Sequence, residues 1–321
     1  MKEKRLHIFF AVFLTFSFSC DIISQSKSSS SSSISSSSSI SSANSSENSS
    51  LTSNSSTSTS ANSSISSSAT FTFPSTNGGE YNPGIGYYLV WSDEFNGSGI
   101  DTSVWSYETK ATGWSQYWNN EYQDYTDNGT GGPNAFVTNG MLVIKAIKVN
   151  NNYTYNSFTS ARMVTKGKKS WQYGKVVGRI ALPYGKGVWP AFWMLGNNYT
   201  WPACGEIDIM EQIGNPSNFV YGTLHWDEGG QHAQYGTSTR ISNPLQFHIY
   251  ELEWTSTYIK IGVDGTYYFA MDITGTGKTE FHQPFYIIIN LAIGGNWPGY
   301  PDATTVFPQY LCFDWIRVYQ K

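Results

Sequence analysis

Cysteine is scarce in this sequence, with three in 321 residues. That is too few for a disulfide framework in a chain of this length. Charge is sparse too, at 13% of residues. Beyond residue 70 there are 15 Lys and Arg against 20 Asp and Glu, which excludes a nucleic-acid binder working through a basic face. No segment carries an apolar stripe of 3.6-residue period beyond one turn, and no repeat of about 20–50 residues is visible. Aromatic residues are what abounds: 47 of the 52 Phe, Trp and Tyr fall in residues 71–321, among them all 12 Trp. So aromatic a segment can bury a core, which excludes a disordered chain, and its Trp suit either that core or a cleft that stacks on flat ligand faces. About 250 residues make one large domain, a size that all-β folds often reach undivided.

The first 70 residues read as an address and a tether. Lys2, Lys4 and Arg5 precede an apolar run over residues 8–19. It is too short for a bilayer and suits the core of a signal peptide. Ser17-Phe18-Ser19-Cys20 closes it. Small residues before a Cys resemble a bacterial lipobox, with Ser17 where Leu is usual. Residues 1–20 are therefore expected to be a lipoprotein-type signal peptide, with Cys20 the lipidated first mature residue. The protein is then exported and held at a membrane by lipid alone, otherwise secreted. Residues 24–69 hold 29 Ser in 46 positions and no aromatic residue. They cannot bury enough apolar surface to offset their ordering entropy. A disordered linker is expected over 21–85 and a catalytic domain over 86–321. Cys204 and Cys312 are two buried thiols or one bridge, and are expected to be unpaired.

From Tyr88 onward, short apolar runs alternate with polar residues and stop at Gly, Asn, Asp or Pro. Strands are predicted at 141–149, 175–182, 206–211, 220–226, 248–254, 258–263, 266–271, 285–293 and 312–319. Asp264-Gly265 between two of them is a type I′ hairpin signal. Many short strands with frequent turns make an all-β chain, a β-sandwich or jelly roll.

Residues 206–211, Glu-Ile-Asp-Ile-Met-Glu, set three carboxylates in an apolar strand. In a regular strand Glu206 and Asp208 share a face and Glu211 points away. A β-bulge at Ile209-Met210 returns Glu211 to their face, and three like charges so placed cannot all ionise cheaply. Glycoside hydrolysis needs such an arrangement: one carboxylate attacks the anomeric carbon and the other protonates the leaving oxygen. An acidic edge strand or a cation site would show the same pattern.

The Glu206–Glu211 segment resembles the active-site strand of glycoside hydrolase family 16. The likeness extends to Leu182-Pro-Tyr-Gly-Lys-Gly-Val-Trp-Pro-Ala-Phe-Trp-Met-Leu195, Asn290-Leu-Ala-Ile-Gly-Gly-Asn-Trp-Pro-Gly299 and Asp314-Trp-Ile-Arg-Val-Tyr319, and covers about residues 88–321. Those stretches are similar to the laminarinase-type members. The resemblance implies a β-jelly roll of the concanavalin A-like kind with a cleft along its concave sheet. It implies an endo-acting, retaining enzyme for β-1,3-linked, laminarin-like glucans, with Glu206 the nucleophile, Glu211 the acid/base and Asp208 assisting. The extra residue at Met210 sets the chain apart from the lichenase and xyloglucan branches. The alternatives are an agarase or mixed-linkage glucanase, and a surface glycan-binding protein without catalysis.

Further residues follow by the same resemblance. Trp189 and Trp193 are expected to stack on glucosyl rings. His225 is expected to hydrogen-bond near the cleft, Asn120 and Arg162 to contact sugar, and Trp297 to rim the cleft. No cofactor is expected for catalysis. A structural calcium is expected at Glu94, the Gly140 carbonyl and Asp314, where oxygen ligands suit that ion. The partner is the glucan, with no nucleic acid, and the chain is expected to be a monomer.

Overall fold

The computed structural model describes residues 71–127, 134–214 and 218–321. The expected signal peptide, Cys20 and the Ser-rich tract lie outside the described residues. In chain order the strands are β1 (Tyr88–Asp93), β2 (Ser106–Tyr107), β3 (Gln123–Tyr125), β4 (Ala135–Thr138), β5 (Met141–Lys148), β6 (Phe158–Ser160), β7 (Arg162–Val164), β8 (Gly174–Ala181), β9 (Val188–Gly196), β10 (Glu206–Glu211), β11 (Phe219–Asp227), β12 (His232–Arg240), β13 (His248–Trp254), β14 (Tyr258–Val263), β15 (Thr266–Asp272), β16 (Phe285–Ile293) and β17 (Gln309–Gln320). Helix among the described residues is confined to three 3-10 segments.

The strands form two sheets packed as a jelly roll. The larger runs β15-β14-β13-β8-β17-β5-β6-β3, with β1 on β17 and β4 on β5; the smaller runs β12-β11-β10-β9-β16-β7-β2. Alternation along the smaller sheet builds both the core and the site. Phe192 and Met194 of β9, Val220 and Leu224 of β11, and Ile287, Ile289 and Leu291 of β16 all enter the main core cluster. Their neighbours Trp193, Thr223, His225 and Asn290 face outward and line one cleft.

All nine expected strands are present, and the hairpin is of the expected kind, with φ of 50° at Asp264 and 76° at Gly265. Cys204 and Cys312 are both free and buried. Packing begins earlier in the chain than the residue 86 boundary. Phe71 stacks on Tyr310 at 4.2 Å between ring centroids, and Arg179 donates to the Thr76 carbonyl at 3.3 Å. Tyr81 packs on Trp315 and Tyr319 and donates to Glu251. Aromatic side chains secure this short segment to the outer face of the larger sheet, where serine has nothing to bury.

Candidate active site

β10 lies between β9 and β11, and its register slips against both. Against β9, Asp208 faces Trp193 while Met210 faces the next residue, Phe192, so Ile209 is extra. Against β11, Asp208 faces Thr223 and Glu211 faces Tyr221. The bulge sends Ile207, Ile209 and Met210 into the core and leaves Glu206, Asp208 and Glu211 on the outer face. These three carboxylates share the floor of a cleft of about 1050 Å³.

Each acid is held from a different side. Trp201 Nε1 donates to Glu206 Oε2 at 2.6 Å, and Trp189 Nε1 donates to Glu211 Oε1 at 3.0 Å. His225 Nε2 lies 3.2 Å from Asp208 Oδ2 and 4.0 Å from Glu206 Oε1. Asp208 is 2% exposed, and its Oδ2 takes no well-aligned hydrogen bond from the protein. Burial pushes Glu206 up to about 8, with the Asp208 charge adding, against the lowering effect of His225 and the Trp201 N–H. Burial, then the Glu211 charge, holds Asp208 well above the usual carboxylate range. Burial raises Glu211 too, against the Trp189 N–H. Like charges in a dry site resist joint ionisation, so the cluster keeps protons at neutral pH.

Around the acids the walls are aromatic. Trp193 donates from Nε1 to Asn290 Oδ1 at 2.7 Å, and the Arg162 guanidinium lies 4.7 Å from its ring centroid. Arg162 is itself fixed by Glu108, Nε to Oε2 at 2.6 Å. Trp297 meets Trp189 and Tyr221 edge-on, at 5.7 and 4.9 Å between centroids. Trp189, Trp193, His225, Arg162 and Trp297 thus all line the cleft.

Asn120 does not. It adopts a left-handed φ of 56°, donates to Asn296 at 2.8 Å and accepts from Tyr155 at 2.9 Å. That backbone turn leaves its neighbours Asn119 and Glu121 on the cleft wall instead. Sequence reasoning also missed Trp201, Asn290 and His232, which line the same cleft. Trp201 has the one legible signal, an aromatic residue five positions before Glu206.

Glu94, Gly140 and Asp314 come together elsewhere, in a pocket of about 260 Å³ that Asn96 also lines. The oxygen set suits a hard cation. Both carboxylates are already paired, Glu94 with Arg317 at 2.8 and 2.7 Å and Asp314 with Arg179, so an ion would have to displace guanidinium groups.

Clustered, largely desolvated carboxyl groups in a tryptophan-walled cleft on a jelly roll define a glycoside-cleaving class of protein. Residues 123–317 match the sequence profile of Glycosyl hydrolases family 16, and the chain belongs to that family. It is 40% identical to a beta-glucanase of Rhodothermus marinus, over 72% of this chain and 85% of that protein. It is 41% identical to the clotting factor G alpha subunit of Tachypleus tridentatus, over 73% of this chain, and spans only 34% of that longer protein. The structure is similar to the laminarinase catalytic domain from Thermotoga maritima MSB8, with 43% identity, a TM-score of 0.66, and coverage of 73% of this chain and 98% of that one.

Proposed function

We propose that the chain is a retaining endo-β-1,3-glucanase acting on laminarin-like glucans. The observation that carries the reading is the bulge that puts Glu206, Asp208 and Glu211 on one cleft face between tryptophan walls. The names of the beta-glucanase and laminarinase relatives support the substrate class.

Glu206 attacks the anomeric carbon while Glu211 protonates the glycosidic oxygen. Water, deprotonated by Glu211, then releases the covalent glucosyl-enzyme, and two inversions give retention. Glu206 must be an anion to attack. Asp208, the most deeply buried of the three, shares a hydrogen bond with Glu206, and burial holds its own carboxyl well above the usual carboxylate range. The Trp201 N–H and His225 favour the Glu206 anion. Glu211 keeps its proton through burial and through repulsion from that anion. Trp189, bonded to Glu211, ties a sugar platform to the acid it serves.

Calcium belongs to the same proposal. Glu94, the Gly140 carbonyl and Asp314 would hold it, joining the two ends of the domain and displacing Arg317 and Arg179. Thermal midpoints in calcium and in EGTA test this; identical midpoints would refute it. Export and lipid anchoring at Cys20 rest on the sequence pattern alone, and globomycin-sensitive maturation in a bacterial host tests them.

The direct test offers laminarin, lichenan, agarose and xyloglucan side by side and follows reducing ends and product size. Short oligomers from laminarin support the reading. Release from agarose alone would refute the substrate, and binding without release would refute catalysis.

A further inference from the structure

His232 opens β12, directly beyond the β11 strand that carries His225. Its Nε2 lies 2.8 Å from His225 Nδ1, and the two rings meet edge to edge, nearly parallel, with an interplanar angle of 19°. The Trp201 ring also approaches His232, at 4.6 Å between centroids. Trp201 holds Glu206, Glu206 is bonded to Asp208, and Asp208 is the nearest carboxylate to His225. The five residues His232, His225, Asp208, Glu206 and Trp201 close a ring, and His232 is its member farthest along the sheet from the acids.

We propose that His232 is a positioning residue that locks His225 in one tautomer and orientation, and through it the Asp208–Glu206 pair. Carboxyl oxygens of Asp208 and Glu206 face His225 Nε2 at 3.2 and 4.0 Å, and a proton on Nε2 turns a donor toward them. With its proton on Nε2, His225 has an acceptor at Nδ1, and the Nε2–H of His232 donates to it. The ring cannot flip without losing that bond and turning a C–H toward Asp208. A second residue that fixes a functional imidazole is a familiar physical device, because the outer hydrogen bond decides which nitrogen carries the proton. Without His232 the outer face of His225 meets water, and both tautomers become accessible. The inference rests on the reading that Glu206 attacks the sugar.

The experiment compares the full chain with its His232→Ala and His232→Gln variants. Nitrogen-15 correlation spectra report the His225 tautomer, and laminarin hydrolysis reports kcat and KM. The wild type should show His225 as the Nε2–H tautomer. His232→Ala should show a mixture, with kcat down about tenfold and KM within about twofold. His232→Gln, whose amide can still donate to Nδ1, should recover most of both. An Nδ1–H tautomer in the wild type would overturn the proposal without any variant having to fold. So would an unchanged tautomer in His232→Ala, or a rise in KM with kcat intact, which would make His232 a plain sugar contact. If the tautomer shifts as stated but the wild type cleaves no glucan, the positioning stands and the glucanase reading falls.

Discussion

Glu206 and Glu211 stand five positions apart on one strand and yet face the same side of the sheet. An odd spacing puts two side chains on opposite faces of a regular strand, so one extra residue must be absorbed between them. Ile209 is that residue, because Asp208 and Met210 pair with consecutive positions of β9.

Deleting Ile209 should therefore keep both glutamates on the cleft face. Asp208, Met210 and Glu211 would then oppose Trp193, Phe192 and Ala191 in unbroken register. The cost is one fully buried isoleucine, about 2–5 kcal/mol by analogy with large core truncations. Urea unfolding and laminarin hydrolysis check both halves. A loss of activity as deep as that of Glu211→Ala would show that the bulge does more than restore the face.

Removing each glutamate in turn should separate their roles. Glu206→Ala should lose at least about 10⁴-fold in kcat, and azide with an activated glucoside should give the α-glucosyl azide by direct attack. Glu211→Ala still forms the glucosyl-enzyme from an activated donor, so azide should give the β-glucosyl azide. Proton NMR of the azide products assigns the anomers. The same anomer from both variants would overturn the assignment.

Much of this site was legible because strands announce themselves by alternation. β10, β11 and β16 pair apolar core positions with cleft positions, and the acids at 206, 208 and 211 stand out against that background. β9 gave no such signal. Its cleft face carries Trp189 and Trp193, as apolar as its core face, and Pro190 inside it argues against a strand. β12 failed the opposite way, since His232–Arg240 is almost wholly polar and mostly exposed. His232 was therefore invisible as a partner of His225, because only the β11–β12 pairing brings them together. Asn120 was misplaced because a single left-handed residue redirects its side chain, and the motif alone does not reveal which of 119, 120 and 121 turns away.

The pH dependence of kcat/KM should be bell-shaped and shifted upward. Attack needs the Glu206 anion, so activity falls as pH drops through its pKa; leaving-group protonation needs a proton on Glu211, so activity falls again at high pH. Burial raises both groups, Glu211 to about 7 and Glu206 to about 8 in the free cleft. Both limbs should lie above the ordinary carboxylate range near pH 4–5. Trp201→Phe removes the N–H that favours the Glu206 anion and should move the limb set by Glu206 up by about one unit. A downward move would mean that Trp201 acts by burial and not by its hydrogen bond.

The same raised carboxyl should make the active site a pH-dependent burden on stability. A Glu that goes from 4.5 to about 8 on folding keeps its proton in the folded chain across that window, while the unfolded chain releases it. Folding is then opposed increasingly from about pH 4.5 to 8, and the penalty levels off above that. Glu206→Gln removes the titration and keeps an acceptor for Trp201. Its stability relative to wild type should be close to zero at pH 4, rise through the window, and reach about 1–3 kcal/mol by pH 9. The full shift would give more, but Glu206 keeps 17% of its side chain exposed and water softens the cost. Paired urea titrations at pH 4 and pH 9 decide it. A gain that is equal at both would mean that the ionised carboxylate is not what strains the cleft.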